Sequence, residues 1–174
     1  MNDLEKRISA IEDRLAIYDL IASHSFSVDV PNASYTEAAH TADSVFDRGG
    51  ALPGWSGRDS IVAATDNAEM RAARKAGFAT VKSFPSVEIN GDKATAYTYN
   101  QIIVPDTGHD AALVAGHGMS TGFRIHRITV NRWELVREQD GWKIRSRINR
   151  LVGTAEAAEI IGRWRYAPIV LTTP

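Results

Sequence analysis

The first thirty residues carry their apolar side chains at helical spacing. Apolar or small residues recur at alternating intervals of four and three, at Leu4, Ile8, Ile11, Leu15, Tyr18, Ala22 and Ser25. This spacing predicts one long helix with a continuous apolar face. Further apolar residues between positions 16 and 22 widen that face, so we expect the second half of the helix to be buried on several sides. Pro31 disfavours helical geometry at Val30, and the helix is expected to end near Val28 to Val30.

Two more helices are predicted before residue 78. The stretch "SYTE" offers Ser34 as an N-cap and Glu37 as its capping-box partner, and it predicts a short second helix through "AAHTA". The stretch "RDSIVAATDNAEMRAARKAG" predicts a third helix, capped by Asp59 or Ser60 and closed by Gly77. Glycine and proline residues between positions 49 and 57 predict a turn-rich loop between these two helices.

After residue 77 the pattern becomes that of strands. The segments "SVEI", "KATAYTYNQIIV", "FRIHRITVNRWELVRE" and "WKIRSRINRLV" are rich in β-branched and aromatic residues. The pairs Asn90-Gly91 and Asp140-Gly141 predict two tight hairpin turns, which make the flanking strands antiparallel. A glycine-rich connection, "PDTGHDAALVAGHGMSTG", separates the second and third strands, while "TAEAAEIIG" predicts a short helix and "APIVLTTP" an extended tail.

Helices that precede a long-stranded sheet predict an α+β architecture. We expect the helices to pack on one face of a curved, mostly antiparallel sheet. A chain of 174 residues without an internal repeat or a linker is expected to form one domain, residues 1–174.

Composition narrows the class of protein. The 20 basic and 21 acidic residues nearly cancel, so we expect neither a nucleic-acid nor a membrane partner, since both need clustered Lys and Arg. The absence of cysteine excludes disulfides and thiolate chemistry. The charged N-terminus lacks the apolar segment of a secretory signal, and a cytoplasmic protein is expected.

Several short motifs, in a specific order, resemble one known family. The stretches "LEKRISAIEDRLAIYDLIASHSFSVD", "ADSVFD", "GRDSI", "INGDKATAYTY" and "VREQDGWKI" are similar to the SnoaL-like branch of the nuclear transport factor 2-like superfamily. The resemblance implies a cone-shaped, cystatin-like fold in which a strongly bent sheet surrounds a cavity. Members include scytalone dehydratase, hexachlorocyclohexane dehydrochlorinase, bile acid dehydratase and polyketide cyclases, whereas others are catalytically silent. The residues in the cavity must therefore supply any reaction.

The resemblance implies that Asp29 is a catalytic base. In the dehydratases and the dehydrochlorinase an aspartate at the end of the first helix works with a histidine at the start of a sheet strand. The histidine's position falls at Thr80 in "FATVKSF", so the usual partner is missing. The alternative for Asp29 is to cap a backbone turn before Pro31.

His24 is the second candidate catalytic residue, at a position where many relatives have tyrosine. At 100° per residue its side chain is separated from that of Asp29 by roughly 140° around the helix. The two are thus expected to line one cavity from different sides, with a substrate between them. A buried histidine bonded to the backbone is the alternative.

Other residues are candidates for substrate binding. Asn100 is expected to form a polar wall, and Asp106 stands where scytalone dehydratase has a histidine that helps to hold a water, although an aspartate after Val-Pro also suits a turn. His117 is the histidine of the glycine-rich connection most able to reach the cavity. Trp55 lies in a turn-rich loop, where a lid or an interface would explain it.

The last predicted strand carries Arg145, Arg147 and Arg150. One of them, for which we take Arg150, is expected to hold an anionic or carbonyl group, as an arginine does in the bile acid enzyme. No histidine pair has the four-residue spacing of a helical metal site, so neither a metal nor another cofactor is expected.

The leading hypothesis is a cofactor-independent acid–base enzyme of the dehydratase, isomerase or cyclase type. Its substrate would be a small hydrophobic oxygenated molecule such as a polyketide, steroid or terpenoid. The alternatives are a non-catalytic small-molecule binding protein and an assembly subunit like the small subunit of ring-hydroxylating dioxygenases. By analogy with relatives, a homo-oligomer, a dimer or a trimer joined through the sheet face, is expected.

Overall fold

The computed structural model describes residues 2–50 and 52–166, and the predicted extended tail lies outside them. The described helices are α1 Asp3–Asp29, α2 Ala33–Ala39, α3 Arg58–Thr65, α4 Ala68–Lys75 and α5 Ala155–Gly162. The described strands are β1 His40–Asp47, β2 Trp55–Ser56, β3 Ala79–Lys82, β4 Ser86–Asn90, β5 Lys93–Pro105, β6 Ala112–Val114, β7 Gly118–Ser120, β8 Phe123–Glu138 and β9 Gly141–Leu151. Helices and a curved, mostly antiparallel sheet confirm the α+β class.

Helix α1 begins with a capping box and ends close to the position predicted from Pro31. The side chain of Asn2 accepts from the N–H of Glu5, whose carboxylate accepts from the N–H of Asn2. The helix ends at Asp29, two residues before Pro31. Its C-terminal half packs on the sheet through buried residues, whereas the apolar residues of its first four turns are exposed.

The site is built on one seven-stranded sheet. Its strand order is β2-β1-β9-β8-β5-β3, with β4 also paired to β5. Strands β4 and β5, and strands β8 and β9, are antiparallel neighbours, which confirms both predicted hairpins. The pairing of β1 with β9 is parallel.

Each face of the sheet has its own apolar cluster. The inner face, which we define as the one facing α1, buries Ile17, Ile21, Trp133, Leu135 and Ile144 among others. The outer face packs Val130, Tyr97 and Ile148 against the α5 residues Ala157 and Ile160. Because side chains alternate along a strand, neighbouring residues belong to opposite clusters.

A β-bulge in β9 changes that alternation. Leu135 pairs with Ile144, whereas Glu134 pairs with Ser146, so Arg145 is the extra residue. Trp142 and Ile144 are buried in the inner cluster before the bulge, and Arg147 is buried after it. The bulge therefore moves the odd-numbered residues of β9 to the inner face.

Several predicted details were wrong. The cap of α2 is Asn32, whose side chain accepts from the N–H of Tyr35, and not Ser34. The third helix begins after Gly57 without a side-chain cap from Asp59 or Ser60. It also breaks at residues 66 and 67 into α3 and α4, because Asn67 caps a new helix through the N–H of Met70.

Several strands were not predicted. Helix α2 ends at Ala39, and His40 opens the parallel strand β1 rather than extending the helix. The glycine-rich connection contains the hairpin β6–β7. Within the described residues, no helix has both the length and the apolar character needed to cross a membrane.

Candidate functional site

The centre of the site is a buried arginine held between two aromatic rings. Arg147 of β9 is paired with Phe46 on one side and with Trp133 on the other. Side chains opposite each other on neighbouring strands share a face and lie close together. The guanidinium carbon accordingly lies 4.4 Å from the Phe46 ring centre and 4.5 Å from that of Trp133. Such contacts stabilise a cation through the electron-rich ring faces.

Among the described residues, neutral groups rather than a carboxylate bond to Arg147. Its Nε donates to Oδ1 of Asn131 at 2.9 Å, and its Nη1 lies 3.2 Å from Nε2 of His24. Arg147 is 6% exposed, and burial lowers its pKa to about 9. A buried cation without an anionic partner is costly, which makes Arg147 a candidate for binding an electron-rich ligand atom.

Arg147 fixes the tautomer of His24. A guanidinium donates and cannot accept, so Nε2 of His24 accepts and the ring proton of the neutral imidazole lies on Nδ1. Burial, and then the positive charges of Lys82 and Arg147, hold the pKa of His24 well below its ordinary value. Nδ1 is buried and has no hydrogen-bond partner among the described residues. His24 therefore has an unused N–H donor on the ring edge that faces away from Arg147.

Two further groups surround His24. The ring of His40 lies 6.3 Å away, and its Nδ1 donates to the carbonyl of Thr36 at 2.9 Å. Burial lowers the pKa of His40 to about 4. Tyr35 donates its hydroxyl to the carbonyl of Leu20 at 2.7 Å, and burial raises the pKa of this phenol. The imidazoles are thus neutral near pH 7 and the phenol keeps its proton.

Asp29 lies directly against Thr80, the residue at the expected histidine position. The Thr80 hydroxyl donates to Oδ1 of Asp29 at 2.8 Å, and the Thr80 N–H contacts Oδ1 and Oδ2 at 3.2 and 3.1 Å. The Asp29 side chain is half-buried. These bonds tie the end of α1 to β3, and they use part of the accepting capacity of the carboxylate.

Lys82 and Asn100 extend the inner face beside Asp29. Lys82 is directly opposite Asn100 in the β3–β5 ladder, so both side chains lie on one face. Nζ of Lys82 donates to Oγ of Ser25 at 2.7 Å, and Oδ1 of Asn100 is buried without a partner among the described residues. A groove of about 570 Å³ between α1 and β3 is lined by Ser25, Thr80 and Lys82 together with apolar residues.

Trp55 extends the row of aromatic rings that Trp133 and Phe46 form around Arg147. Its ring centre is 5.4 Å from that of Phe46, and the guanidinium of Arg48 lies 4.8 Å from the Trp55 ring. Phe46 therefore links the loop tryptophan to the buried Arg147.

Three predicted residues lie away from this cluster. Asp106 accepts from the N–H of Gly108 at 3.0 Å, as in an ordinary turn. His117 is exposed at the turn of the β6–β7 hairpin. Arg150 bonds both oxygens of Asp47, at 3.0 and 2.7 Å, and lines a small outer-face pocket beside α5.

The structure also brings in residues without a strong sequence signal. Lys82 and Asn131 are polar residues of strands, and the pairing register shows that they lie on the inner face. Among residues 2–50 and 52–166, no three His, Asp or Glu side chains come together as a metal site.

The sequence and the fold identify the protein family. The sequence profile of the SnoaL-like domain matches residues 9–148, and the chain belongs to that family. The family includes polyketide cyclases and dehydratases. No curated protein matches the chain.

Solved structures agree with the family. A nuclear transport factor 2-like protein with a cystatin-like fold from Novosphingobium aromaticivorans is 28% identical, with 91% of this chain and 95% of that chain covered and a TM-score of 0.79. A candidate scytalone dehydratase from the same organism is 14% identical over 82% and 86%, with a TM-score of 0.60. A candidate aromatic ring hydroxylase, also from that organism, is 22% identical over 83% and 92%, with a TM-score of 0.55. The last two likenesses concern the fold alone.

Proposed function

We propose that the protein is a cofactor-independent acid–base enzyme of the dehydratase, isomerase or cyclase type. Its substrate would be a small hydrophobic oxygenated molecule such as a polyketide, steroid or terpenoid. The observation that carries this proposal is the buried guanidinium of Arg147, which is bonded by neutral His24 and Asn131 and has no carboxylate partner among the described residues. A positively charged donor in a water-poor interior suits the negative charge that develops on a carbonyl oxygen as an enolate forms.

In this mechanism Asp29 is the base. The substrate carbonyl accepts from Arg147, whose guanidinium His24 holds in place, and this bond acidifies the neighbouring C–H so that the carboxylate removes that proton. Thr80 holds the carboxylate through two donors but cannot carry a proton itself near pH 7. In an elimination the β-hydroxyl then leaves as water, taking up the proton that Asp29 removed, and in an isomerisation Asp29 returns that proton at another carbon.

The test is solvent deuterium exchange into ketone probes. A hydroxytetralone, a Δ5-3-ketosteroid and an oxygenated terpene ketone are incubated with the protein in D₂O and followed by mass spectrometry. We expect exchange next to the carbonyl of at least one probe. Asp29→Asn keeps the shape and the bonds to Thr80 yet removes basicity, and is expected to slow exchange by about 100-fold or more. Exchange that is absent with the wild type, or equal in the variant, contradicts the proposal.

One observation favours a second candidate, a non-catalytic binding protein. The carboxylate of Asp29 is already bonded by Thr80, and no histidine accompanies it in the described structure. Retention of an unchanged ketone in native mass spectrometry, with no exchange in D₂O, would support this candidate. The predicted homo-oligomer is a separate proposal, and sedimentation equilibrium measures it.

A further inference from the structure

Lys82, which is half-buried, differs from the buried Lys143. Nζ of Lys143 pairs with Asp140 at 2.7 Å, as is usual for a buried ammonium group. Nζ of Lys82 instead donates to the Ser25 hydroxyl at 2.7 Å, and within residues 2–50 and 52–166 no carboxylate pairs with it. A neutral hydroxyl does not compensate for burying a charge.

The charges that face Lys82 come from two elements. Arg147 on β9 opposes a second positive charge, and Asp29 on α1 favours one. Asp29 is already bonded to Thr80, while the nearby His24 is neutral. Burial, reinforced by Arg147, lowers the pKa of Lys82 to about 6, so the amine has a free electron pair at pH 7.

Lys82 also lines the 570 Å³ groove between α1 and β3. The apolar walls of this groove include Tyr18, Phe26 and Phe84, and the exposed Asp19 lies at its edge. Phe26 and Phe84 are 74% and 76% exposed, so large aromatic surfaces are available beside the amine. Such a groove suits a ligand with a flat apolar body.

We propose that Lys82 is a nucleophilic amine that captures an aromatic aldehyde or ketone bound in this groove as an imine. The nitrogen electron pair forms a bond to the carbonyl carbon, and the oxygen takes up the proton that the nitrogen releases. The resulting carbinolamine then loses its oxygen as water, so that amine and carbonyl give imine and water. This activity stands apart from the acid–base function proposed above, because it uses neither the basicity of Asp29 nor the hydrogen-bond donors of Arg147.

Reductive trapping tests the proposal on the wild-type protein. The chain is incubated at pH 7 with cinnamaldehyde and cyanoborohydride, and modified lysines are located by peptide mass spectrometry. We expect Lys82 to react about 100-fold faster than the exposed Lys75 and Lys93, because an ordinary lysine is almost fully protonated at this pH. The rate at Lys82 should rise with pH around a midpoint of about 6.

Two variants and a second probe complete the experiment. Lys82→Met should abolish the fast modification, and Lys143→Met, at the paired buried lysine, should leave it intact. Propionaldehyde, which lacks an aromatic body, should react at Lys82 at least 10-fold more slowly than cinnamaldehyde. Modification that merely follows exposure, or a rate at Lys82 that rises only above pH 9, overturns the proposal. The wild-type peptide map decides this even if Lys82→Met does not fold.

Discussion

Nη1 of Arg147 lies 3.2 Å from Nε2 of His24, and this contact fixes the tautomer of the imidazole. Because the guanidinium donates, the proton of neutral His24 is on Nδ1, which has no acceptor among the described residues. The unpaired N–H therefore lies on the ring edge opposite the guanidinium. The acid–base function proposed for this protein depends on the position of that guanidinium.

The tautomer can be measured directly. In ¹⁵N nuclear magnetic resonance we expect His24 to show a protonated Nδ1 and an unprotonated Nε2 at pH 7. Since burial and two neighbouring cations lower its pKa, these signals should not move between pH 7 and pH 5.5. A His24 whose signals move within this range would contradict the assigned contact.

Arg147 cannot be replaced by another cation without loss of stability. Arg147→Lys keeps a positive charge but removes the planar fork that reaches Asn131 and His24 together. We expect the free energy of unfolding, measured in urea, to fall by roughly 2 kcal/mol. Arg145→Lys is the matched control, because that side chain is exposed on the same strand, and its effect should stay within about 0.5 kcal/mol.

Stability should decrease as the pH falls from 6.5 to 4. The pKa of His40 is about 4 in the folded protein and 6.5 as its ordinary value, so in this window the unfolded chain binds a proton that the folded protein does not. Protonation thus favours the unfolded state, and His40 alone accounts for about 3 kcal/mol over the window. His24 acts in the same direction.

Variants separate the two histidines. His40→Asn keeps a donor for the Thr36 carbonyl but does not titrate, so its free energy of unfolding should lose about 3 kcal/mol less than the wild type between pH 6.5 and 4. His126→Asn, at an exposed strand position, should follow the wild type. Equal pH dependence in all three proteins would refute the assignment to His40.

Asp13 attaches the middle of α1 to the β8–β9 hairpin. Its carboxylate accepts from Arg137 and, at 3.1 Å, from Nε1 of Trp142, and the bond from Arg137 lowers its pKa. Asp13→Asn should lower the free energy of unfolding at pH 7 by about 1 kcal/mol. Asp92→Asn removes a more exposed partner of the same arginine and should cost less.

The difference in free energy of unfolding between the wild type and Asp13→Asn should decrease as the pH falls. A carboxyl group with a lowered pKa stabilises the fold above its ordinary pKa of 3.8, and this contribution disappears as the pH falls through the lower folded value. Urea denaturation at pH 7 and at pH 2.5 measures it. A difference that persists undiminished at pH 2.5 would indicate packing rather than charge.

Local sequence signals predicted the elements whose ends are set by nearby residues. Pro31 ends α1, and the turn residues at positions 90–91 and 140–141 form the two hairpins, so these predictions depend on contacts a few residues apart. Strand β1 depends on parallel pairing with β9, about one hundred residues later, and it was missed. Contacts of that separation leave no local pattern.

The face on which each arginine of β9 lies could not be predicted for a related reason. Alternation counted from the buried Trp142 and Ile144 brings Arg150, and not Arg147, to the inner face. The extra residue at Arg145 reverses this order, and no proline or glycine in β9 after Gly141 marks the bulge. The inner face of β9 could therefore be identified only once the pairing register was known.

The candidate site was predictable in part. The end of α1 and the start of β3 follow from the family motifs, and Thr80 does meet Asp29 as those motifs imply. The burial of Lys82 follows instead from its register with Asn100 and from the closeness of Ser25. A lysine in a strand usually faces water, so its sequence context gave no reason to select it.

The intrinsic fluorescence of Trp133 can report on ligand binding. The indole meets the imidazole of His24 edge-on at 5.2 Å between ring centres and covers the guanidinium of Arg147. Tryptophan emission responds to nearby charge, so a compound that binds beside Arg147 should alter the fluorescence of the unlabelled chain. Compound collections can then be screened for ligands by fluorescence alone.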